Sequence, residues 1–328
     1  GTIQQIDPSC SKRLYDVFAG SAVVSGSFRN IRPVSCNDIQ QYSRVVGQIY
    51  LQIFYWDQLD KDQIKYFIKE AIIKSEEVKS RLNEFRIDYS TNHNLEKLLH
   101  KEELHRGFLN RSFDGFDHVF IQRFSGTYWS LDQCIDIDAI ASLVRENRFN
   151  NSFFYNLVNG ALMFAMAYCS QSTGHYAQYR DMSAENIHDI LIYRRKSILK
   201  LFEQKINSLA AYYDGSNNSD FDHETTSMDF LDAIKASETN SIIYADPPYQ
   251  FVHYSRFYHA LETLVRYDYP EVKYKGRYRT DRHQSPFCIR TKVYSAFKSM
   301  FEAVVNKKST LVISYSDNGM ISLEALIE

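Results

Sequence analysis

IIYADPPYQ, residues 242–250, runs an apolar strand straight into an aspartate, two prolines and a tyrosine. Ile242, Ile243, Tyr244 and Ala245 read as a short buried strand. Pro247 and Pro248 forbid its continuation, because proline lacks the ladder N–H and fixes φ. Asp246 and Tyr249 are thereby placed on a rigid, extended turn at a strand's C-terminal end. In open α/β sheets that edge is where ligands bind.

Outward from this stretch the chain alternates strands and helices. Residues 14–24, LYDVFAGSAVV, form an apolar strand entering a small-residue turn, and 31–38, IRPVSCND, a second strand ending in Asn37 and Asp38. QYSRVVGQIYLQIFYW (41–56) has the apolar spacing of a helix. Residues 57–113 are charged and helical in pattern; 130–147 and 152–169 also predict helices, and 185–213 one long helix. GSNNSD (215–220) is a turn or linker. SMDFLDAI, the strand at 242, a helix near 257–267, a basic segment, a helix near 294–306 and the strand TLVISYS complete the chain. This order predicts an α/β sheet interrupted by a helical insertion, with 1–56 and 221–328 forming one domain and 57–220 the insertion. The order of the strands is not legible from periodicity.

Composition bounds the function. The chain has 328 residues, 44% of them apolar and 24% charged, as a globular protein with a sizeable core requires. The 24 tyrosines and 22 phenylalanines fit a filled core as well as a stacking surface. A net charge of −2 supplies no global basic field, so a polyanion site must be a local patch. No stretch reaches the roughly 18 apolar residues of a membrane span, and the first residues lack the layout of a secretory signal. Five scattered cysteines, never in CxxC spacing, favour reduced thiols in a cytoplasmic compartment over a disulfide frame or a zinc site.

Three further stretches could carry chemistry. In DVFAGSAVVS (16–25) a strand meets a small-residue turn and a helix, an arrangement that sets backbone N–H groups against a nucleotide-like ligand, with Gly20 permitting close approach. A plain tight turn explains it equally, and there is no GxxxxGK[ST] or full GxGxxG. Asp38 can accept both hydroxyls of a ribose or cap the following helix. Asp229 can cap a helix or accept from an exocyclic amine, with Phe230 packing on a purine face. In DPPY, Asp246 and the carbonyls flanking Pro247 are acceptors and Tyr249 is a flat ring. An amino group conjugated to a purine is a poor nucleophile, because its lone pair is delocalised. Two acceptors aimed at its N–H bonds draw it toward tetrahedral geometry. Stacking on Tyr249 would hold the base at about 1–3 kcal/mol, once it has left the duplex. A strand-end turn is the plain alternative.

DVFAGSAVVS, CNDIQ, SMDF and YADPPY, in this order, resemble the Dam-like, alpha-group N6-adenine DNA methyltransferases. FSGTYWSLDQCIDIDAI (124–140), QSTGHYAQY (171–179) and the segment 254–293 are similar to those of the subset found in restriction–modification systems. The resemblance implies a Rossmann-like S-adenosylmethionine-dependent methyltransferase sheet with a largely helical inserted target-recognition domain. It implies that Asp16, Phe18, Ala19, Gly20 and Ser21 belong to the cofactor site, that Asp38 binds the ribose, and that Asp229 and Phe230 hold the cofactor's adenine. Asp246, Pro247, Pro248 and Tyr249 would hold the reacting base, without a metal. Two departures stand out. Ala22 occupies the place of a second glycine, and the family's upstream cofactor segment is not in this sequence; as the sequence also stops soon after the strand TLVISYSDNG, residues before Gly1 and after Glu328 are expected in the native chain.

The local basic patch lies between 273 and 292, where Lys273, Lys275, Arg277, Arg279, Arg282, Arg290 and Lys292 alternate with Tyr274 and Tyr278. Of these, Lys275, Arg277, Arg279, Arg282 and Lys292 are the expected phosphate contacts; a solvated loop is the plain alternative. His175 reads as a core histidine in preference to a DNA contact. The Lys and Glu runs at 61–84 and 95–106 read as solvated helix faces. The expected partners are duplex DNA and a restriction endonuclease or a fused second methyltransferase domain. N4-cytosine methylation, RNA or protein-glutamine methylation, and a DNA-binding subunit that has lost catalysis are the rival functions.

Overall fold

A computed structural model describes residues 2–51, 60–91, 94–149, 151–173, 175–214, 219, 221–251, 253–316 and 318–327. The end of the helix expected over 41–56, Gly174 and all of GSNNSD except Ser219 lie outside the described residues. The contacts divide the chain into two compact units. One comprises residues 1–54, 217–256 and 282–328; the other comprises 55–216 and 257–281. The segment 257–281, assigned to the flanking domain on sequence, groups with the helical unit.

The first unit is built on five parallel strands: β1 (Leu14–Asp16), β2 (Val34–Asn37), β3 (Glu224–Thr226), β4 (Ile242–Ala245) and β7 (Thr310–Ile313). Their spatial order is β3-β2-β1-β4-β7. β1, β2 and β4 are the central strands and the most buried, and β4 reads as a continuous apolar run. The pleat sends successive residues to opposite faces. Leu14 and Ile242 accordingly join Val34 and Leu51 in one core cluster, which includes Ile3 and Ala22. Tyr15 and Ile243 join Ile234, Phe297 and Met300 in the other. Helices Val23–Phe28 and Gln41–Leu51 thus cover one face, and Phe230–Ala236 and Val293–Asn306 the other. The chain steps from β1 to β2 on one side and returns to β4 on the other. That reversal opens a crevice at the strands' C-terminal ends, at the topological switch point.

Among the described residues the second unit is helical apart from a hairpin formed by β5 (Val272–Lys273) and β6 (Tyr278–Arg279). Its central helix, Leu131–Leu143, is buried along almost its whole length and opens on a capping box between Ser130 and Gln133. Helix Ser152–Cys169 begins and ends where its periodicity places it. The long helix expected over 185–213 is instead two, Ile187–Arg194 and Ile198–Asp214. The Gln133 side-chain amide donates at 2.8 Å to the carbonyls of both Tyr193 and Lys196, and so engages the backbone on either side of the break. The charged runs at 61–84 and 95–106 are not solvated throughout. Lys79, Glu102 and His105 are buried, because each faces a partner: Asp136 for Lys79, Arg194 for Glu102 and the Phe85 carbonyl for His105. His175 is exposed, against Phe257 and Tyr258, and not a core residue. Among the described residues no helix is long and apolar enough to cross a membrane.

Candidate active site

The site is built where four strands end. Leaving β1, the chain turns through Phe18 to Ala22. Gly20 adopts φ +52, and a side chain built there would meet nothing within 4 Å, so the turn opens onto free space. Its N–H donates to Asp38 Oδ2 at 2.9 Å, and the Gln40 N–H donates to Asp38 Oδ1 at 2.9 Å. Asp38 is thus both a turn anchor and the acid that follows β2. Asn37 knits the strand ends together. Its Oδ1 accepts from the Met228 N–H and Thr226 Oγ1, and its Nδ2 donates to the carbonyls of Met228 and Val17. That brings Asp229 alongside, where it caps helix Phe230–Ala236 by accepting from the Leu231 N–H. Both alternatives posed for Asp229 and Asp38 are compatible with these geometries, since each carboxylate keeps unused lone pairs.

Phe18 and Phe230 stack at 5.4 Å, and Phe287 closes on both, at 5.4 and 5.0 Å between ring centroids. Phe287 and its neighbour His283 escaped the sequence reading, since nothing in their spacing links them to residues 18 or 230. His283 lies within the field of Asp229 and Asp38; burial lowers its imidazole from the usual range, and the two carboxylates oppose that shift.

Ala22 sits in the left-handed region at φ 57, ψ 25 and is 1% exposed. That conformation explains why glycine suits the position. The alanine methyl is buried in the core cluster with Leu14 and Val34, on the side away from solvent.

Carboxylates dominate the crevice. Asp16 is buried at the end of β1; Oδ2 accepts from Ser25 Oγ at 2.7 Å, while Oδ1 has no hydrogen-bond partner among the described residues. Burial, aided by the charge of Asp38, pushes its carboxyl up to about 7. Burial also raises Asp38, against the backbone N–H groups that favour its ionised form. Asp246 is exposed at the end of β4; desolvation by its surroundings raises its carboxyl, and a hydrogen bond with Ser314 opposes the shift. An orphaned buried acceptor, an open turn and several acids fit a cationic ligand with an aromatic end. S-adenosylmethionine is such a ligand.

Beyond Asp246, Pro247 is buried, and Pro248 and Tyr249 are half-buried. Tyr249 meets Tyr315 edge-on at 6.2 Å, and its carbonyl accepts from the Met320 N–H at 3.2 Å. Ser21 is exposed, and Ala19 closes the turn by donating to the Asn37 carbonyl at 2.9 Å.

A family model described as D12 class N6 adenine-specific DNA methyltransferase matches residues 144–325, just over half of the chain. The chain belongs to this family. Among curated relatives of this D12 class chain is the modification methylase LlaI of Lactococcus lactis subsp. lactis, 33% identical over 90 residues, which are 27% of this chain and 14% of LlaI. The type II methyltransferase M.FokI of Planomicrobium okeanokoites is 38% identical over 88 residues, 26% of this chain and 13% of M.FokI. The modification methylase StsI of Streptococcus sanguinis is 22% identical over 210 residues, 61% of this chain and 28% of StsI. Each match spans less than a third of the relative's own length. No solved structure matches.

The basic patch does not act as one surface. Arg277 is buried and donates to the carbonyls of Arg123 and Arg106 at 2.6 and 2.8 Å. Arg279 is 1% exposed and is held between the carboxylates of Asp268 and Asp281. Both expected DNA contacts are corrected to internal braces, because their acceptors arrive from segments distant in sequence or folded back on them. Lys275 pairs with Asp181 and is partly exposed. Arg282 donates to Ser255 Oγ at 3.3 Å and is half-buried, while Lys292 is exposed where helix Val293–Asn306 begins.

Proposed function

We propose that this chain methylates the exocyclic N6 of an adenine drawn out of duplex DNA, using S-adenosylmethionine. The observation that carries the reading is Asp246-Pro247-Pro248-Tyr249, with its acid exposed at the edge of β4 beside the open turn at Gly20. The cofactor supplies an activated sulfonium methyl. Phe18, Phe230, Asp38 and Asp229 would hold it, and Asp16 would offer its carboxylate to the cationic end. Asp246 and a backbone carbonyl at the prolines accept the two N6–H bonds, which localises the nitrogen lone pair. Methyl would pass to N6 as the sulfur–carbon bond breaks, leaving S-adenosylhomocysteine, and the proton of the methylated amine would pass to solvent. Alignment of the nitrogen and the methyl is the main source of rate. The helical unit serves sequence recognition, and the chain is the modification half of a cytoplasmic restriction–modification pair.

The test is transfer from labelled S-adenosylmethionine to mixed-sequence duplex DNA, followed by nucleoside analysis. N6-methyladenine is the expected product. N4-methylcytosine would overturn the base, and no label from folded protein would overturn the activity.

Asp16 gives the site a pH dependence. Its carboxyl moves from an ordinary 3.8 to about 7 on folding. The protonated form is therefore favoured by the fold. That stabilisation is fully present below about pH 4 and is lost as pH rises through about 7. Asp16→Asn escapes the loss and should gain on the wild type by on the order of 4 kcal/mol between pH 4 and pH 8. A cation opposite Asp16 prefers the ionised acid, so wild-type cofactor affinity should climb up to about pH 7 and then level. Denaturation and calorimetric titration at both ends of the range measure this. A variant whose stability and affinity track the wild type would contradict it.

A further inference from the structure

The chain re-enters the sheet unit at Arg282, and hydrogen bonds fix its course from there to Cys288. The hydroxyl of buried Ser255 donates to the His283 carbonyl at 2.5 Å and accepts from Arg282 Nη1 at 3.3 Å. Ser285 then caps the single turn Pro286–Cys288, its hydroxyl accepting from the Phe287 N–H at 3.3 Å. That turn delivers Phe287, 0% exposed, onto Phe18 and Phe230, and also edge-on against Phe297 at 4.9 Å. The segment is therefore pinned at both ends, at Ser255 and in the aromatic cluster beside the Gly20 turn. His283 lies between the two pins.

Its imidazole is half-buried and within the field of both Asp38 and Asp229, and Asp38 feels the ring in return. No hydrogen bond joins the ring to either acid, or to any other described residue. Asp38 accepts from the Gly20 and Gln40 N–H groups, one on each oxygen, and Asp229 Oδ1 accepts from the Leu231 N–H. Both carboxylates therefore keep lone pairs for a further donor. Histidines that serve the packing here are satisfied by protein acceptors: His105 by the Phe85 carbonyl and His259 by that of Tyr176. His283 is not. His253 and Arg282 stand near the same ring, and burial together with the charges of Arg282 and His283 lowers the His253 imidazole. Such surroundings favour neutral rings, and a neutral imidazole carries one donor and one acceptor. A hydroxyl suits the place between that N–H and a carboxylate, because it accepts from the first and donates to the second. The vicinal hydroxyls of a ribose are groups of this kind.

We propose that His283 is a further cofactor contact, its imidazole donating to a ribose hydroxyl whose own proton is accepted by Asp38. The inference rests on the reading of the chain as an S-adenosylmethionine-dependent methyltransferase, and adds to that site a residue from beyond DPPY. Ser255 is the positioning residue behind it, since it holds the histidine's backbone and touches no part of the cofactor. A histidine that only filled space would act on every ligand of the site alike. One that bonds a hydroxyl acts only on ligands that carry that hydroxyl.

The experiment is calorimetric titration at about pH 8, where an imidazole held below its ordinary 6.5 is neutral. Wild type, His283→Ala and His283→Gln are each titrated with S-adenosylhomocysteine and with its 2′-deoxy and 3′-deoxy analogues. His283→Ala should weaken S-adenosylhomocysteine about 3- to 10-fold, the worth of one hydrogen bond. It should leave the analogue lacking the bonded hydroxyl within about twofold of wild type, since the two deletions remove the same contact. The other analogue should follow S-adenosylhomocysteine, which identifies the hydroxyl. His283→Gln keeps a donor and should recover part of the loss. Single-turnover methyl transfer at saturating cofactor should stay within about twofold, because the contact lies away from the sulfonium. Equal loss on all three ligands, or no loss on any, would overturn the contact while leaving the methyltransferase standing. A wild type that binds none of the three would overturn the parent reading and the contact with it.

Discussion

Asp246→Ala is expected to lower the rate of methyl transfer by at least about 10²–10³-fold, the scale seen when a group aimed at the reacting centre is removed. The side chain is exposed at the end of β4, and its protein partner is Ser314, so its loss leaves no core cavity. Stability should therefore change by no more than about 0.5 kcal/mol, as at other surface positions. Cofactor affinity should stay close to that of the wild type, because Asp38, Asp229 and the Phe18–Phe230 stack are untouched. Asp246→Asn keeps one acceptor but points a donor at the amine in one of its two orientations, so it should retain more activity than alanine and less than aspartate. Single-turnover transfer with saturating cofactor and DNA separates this chemical effect from binding. A loss smaller than tenfold would mean that the backbone acceptors at the prolines suffice, and the role given to the carboxylate would fail.

What the sequence disclosed follows the range of the forces involved. DPPY and the turn at Gly20 are local: prolines end a strand, and a small residue permits φ +52, whatever lies elsewhere. Helix Ser152–Cys169 is likewise local, a long apolar pattern with Asn151 as its cap. β3 was not legible, because Glu224, Thr225 and Thr226 carry no apolar signal; they are a strand because β2 offers an open edge. The break between Arg194 and Ile198 contains neither glycine nor proline, and the amide that spans it, Gln133, lies 60 residues away in sequence. The same holds for the basic stretch. Seven cations in 20 residues look like a surface until Asp268, Asp281 and the carbonyls of residues 106 and 123 claim two of them. Phe287 and His283 reach the site by that kind of long return, which no spacing rule encodes.

Arg194→Ala is expected to destabilise the helical unit by about 3–5 kcal/mol, the cost of leaving one member of a buried ion pair alone. Arg194 and Glu102 are 0% and 1% exposed, joined by two hydrogen bonds of 2.8 and 3.0 Å. Glu102 also accepts from the Tyr89 hydroxyl at 2.9 Å, and Arg194 donates to the Thr127 carbonyl at 3.0 Å. The pair therefore ties helix Leu95–Arg106 to helix Ile187–Arg194 and to the turn before Trp129. Its effect on stability comes less from attraction than from what remains when half is removed. A carboxylate within that packing, with a tyrosine hydroxyl and the more distant Arg106 left to face it among the described residues, must either take up a proton or draw in water. Glu102→Leu combined with Arg194→Met should accordingly cost less than Arg194→Ala alone, since it removes both charges and refills the volume. Urea denaturation followed by the fluorescence of buried Trp129 compares the variants directly. If Arg194→Ala cost less than about 1 kcal/mol, or the double variant cost more than the single, the orphaned charge would not be the source of the loss. The interaction would then count as an ordinary polar contact whose value lies in the bond itself.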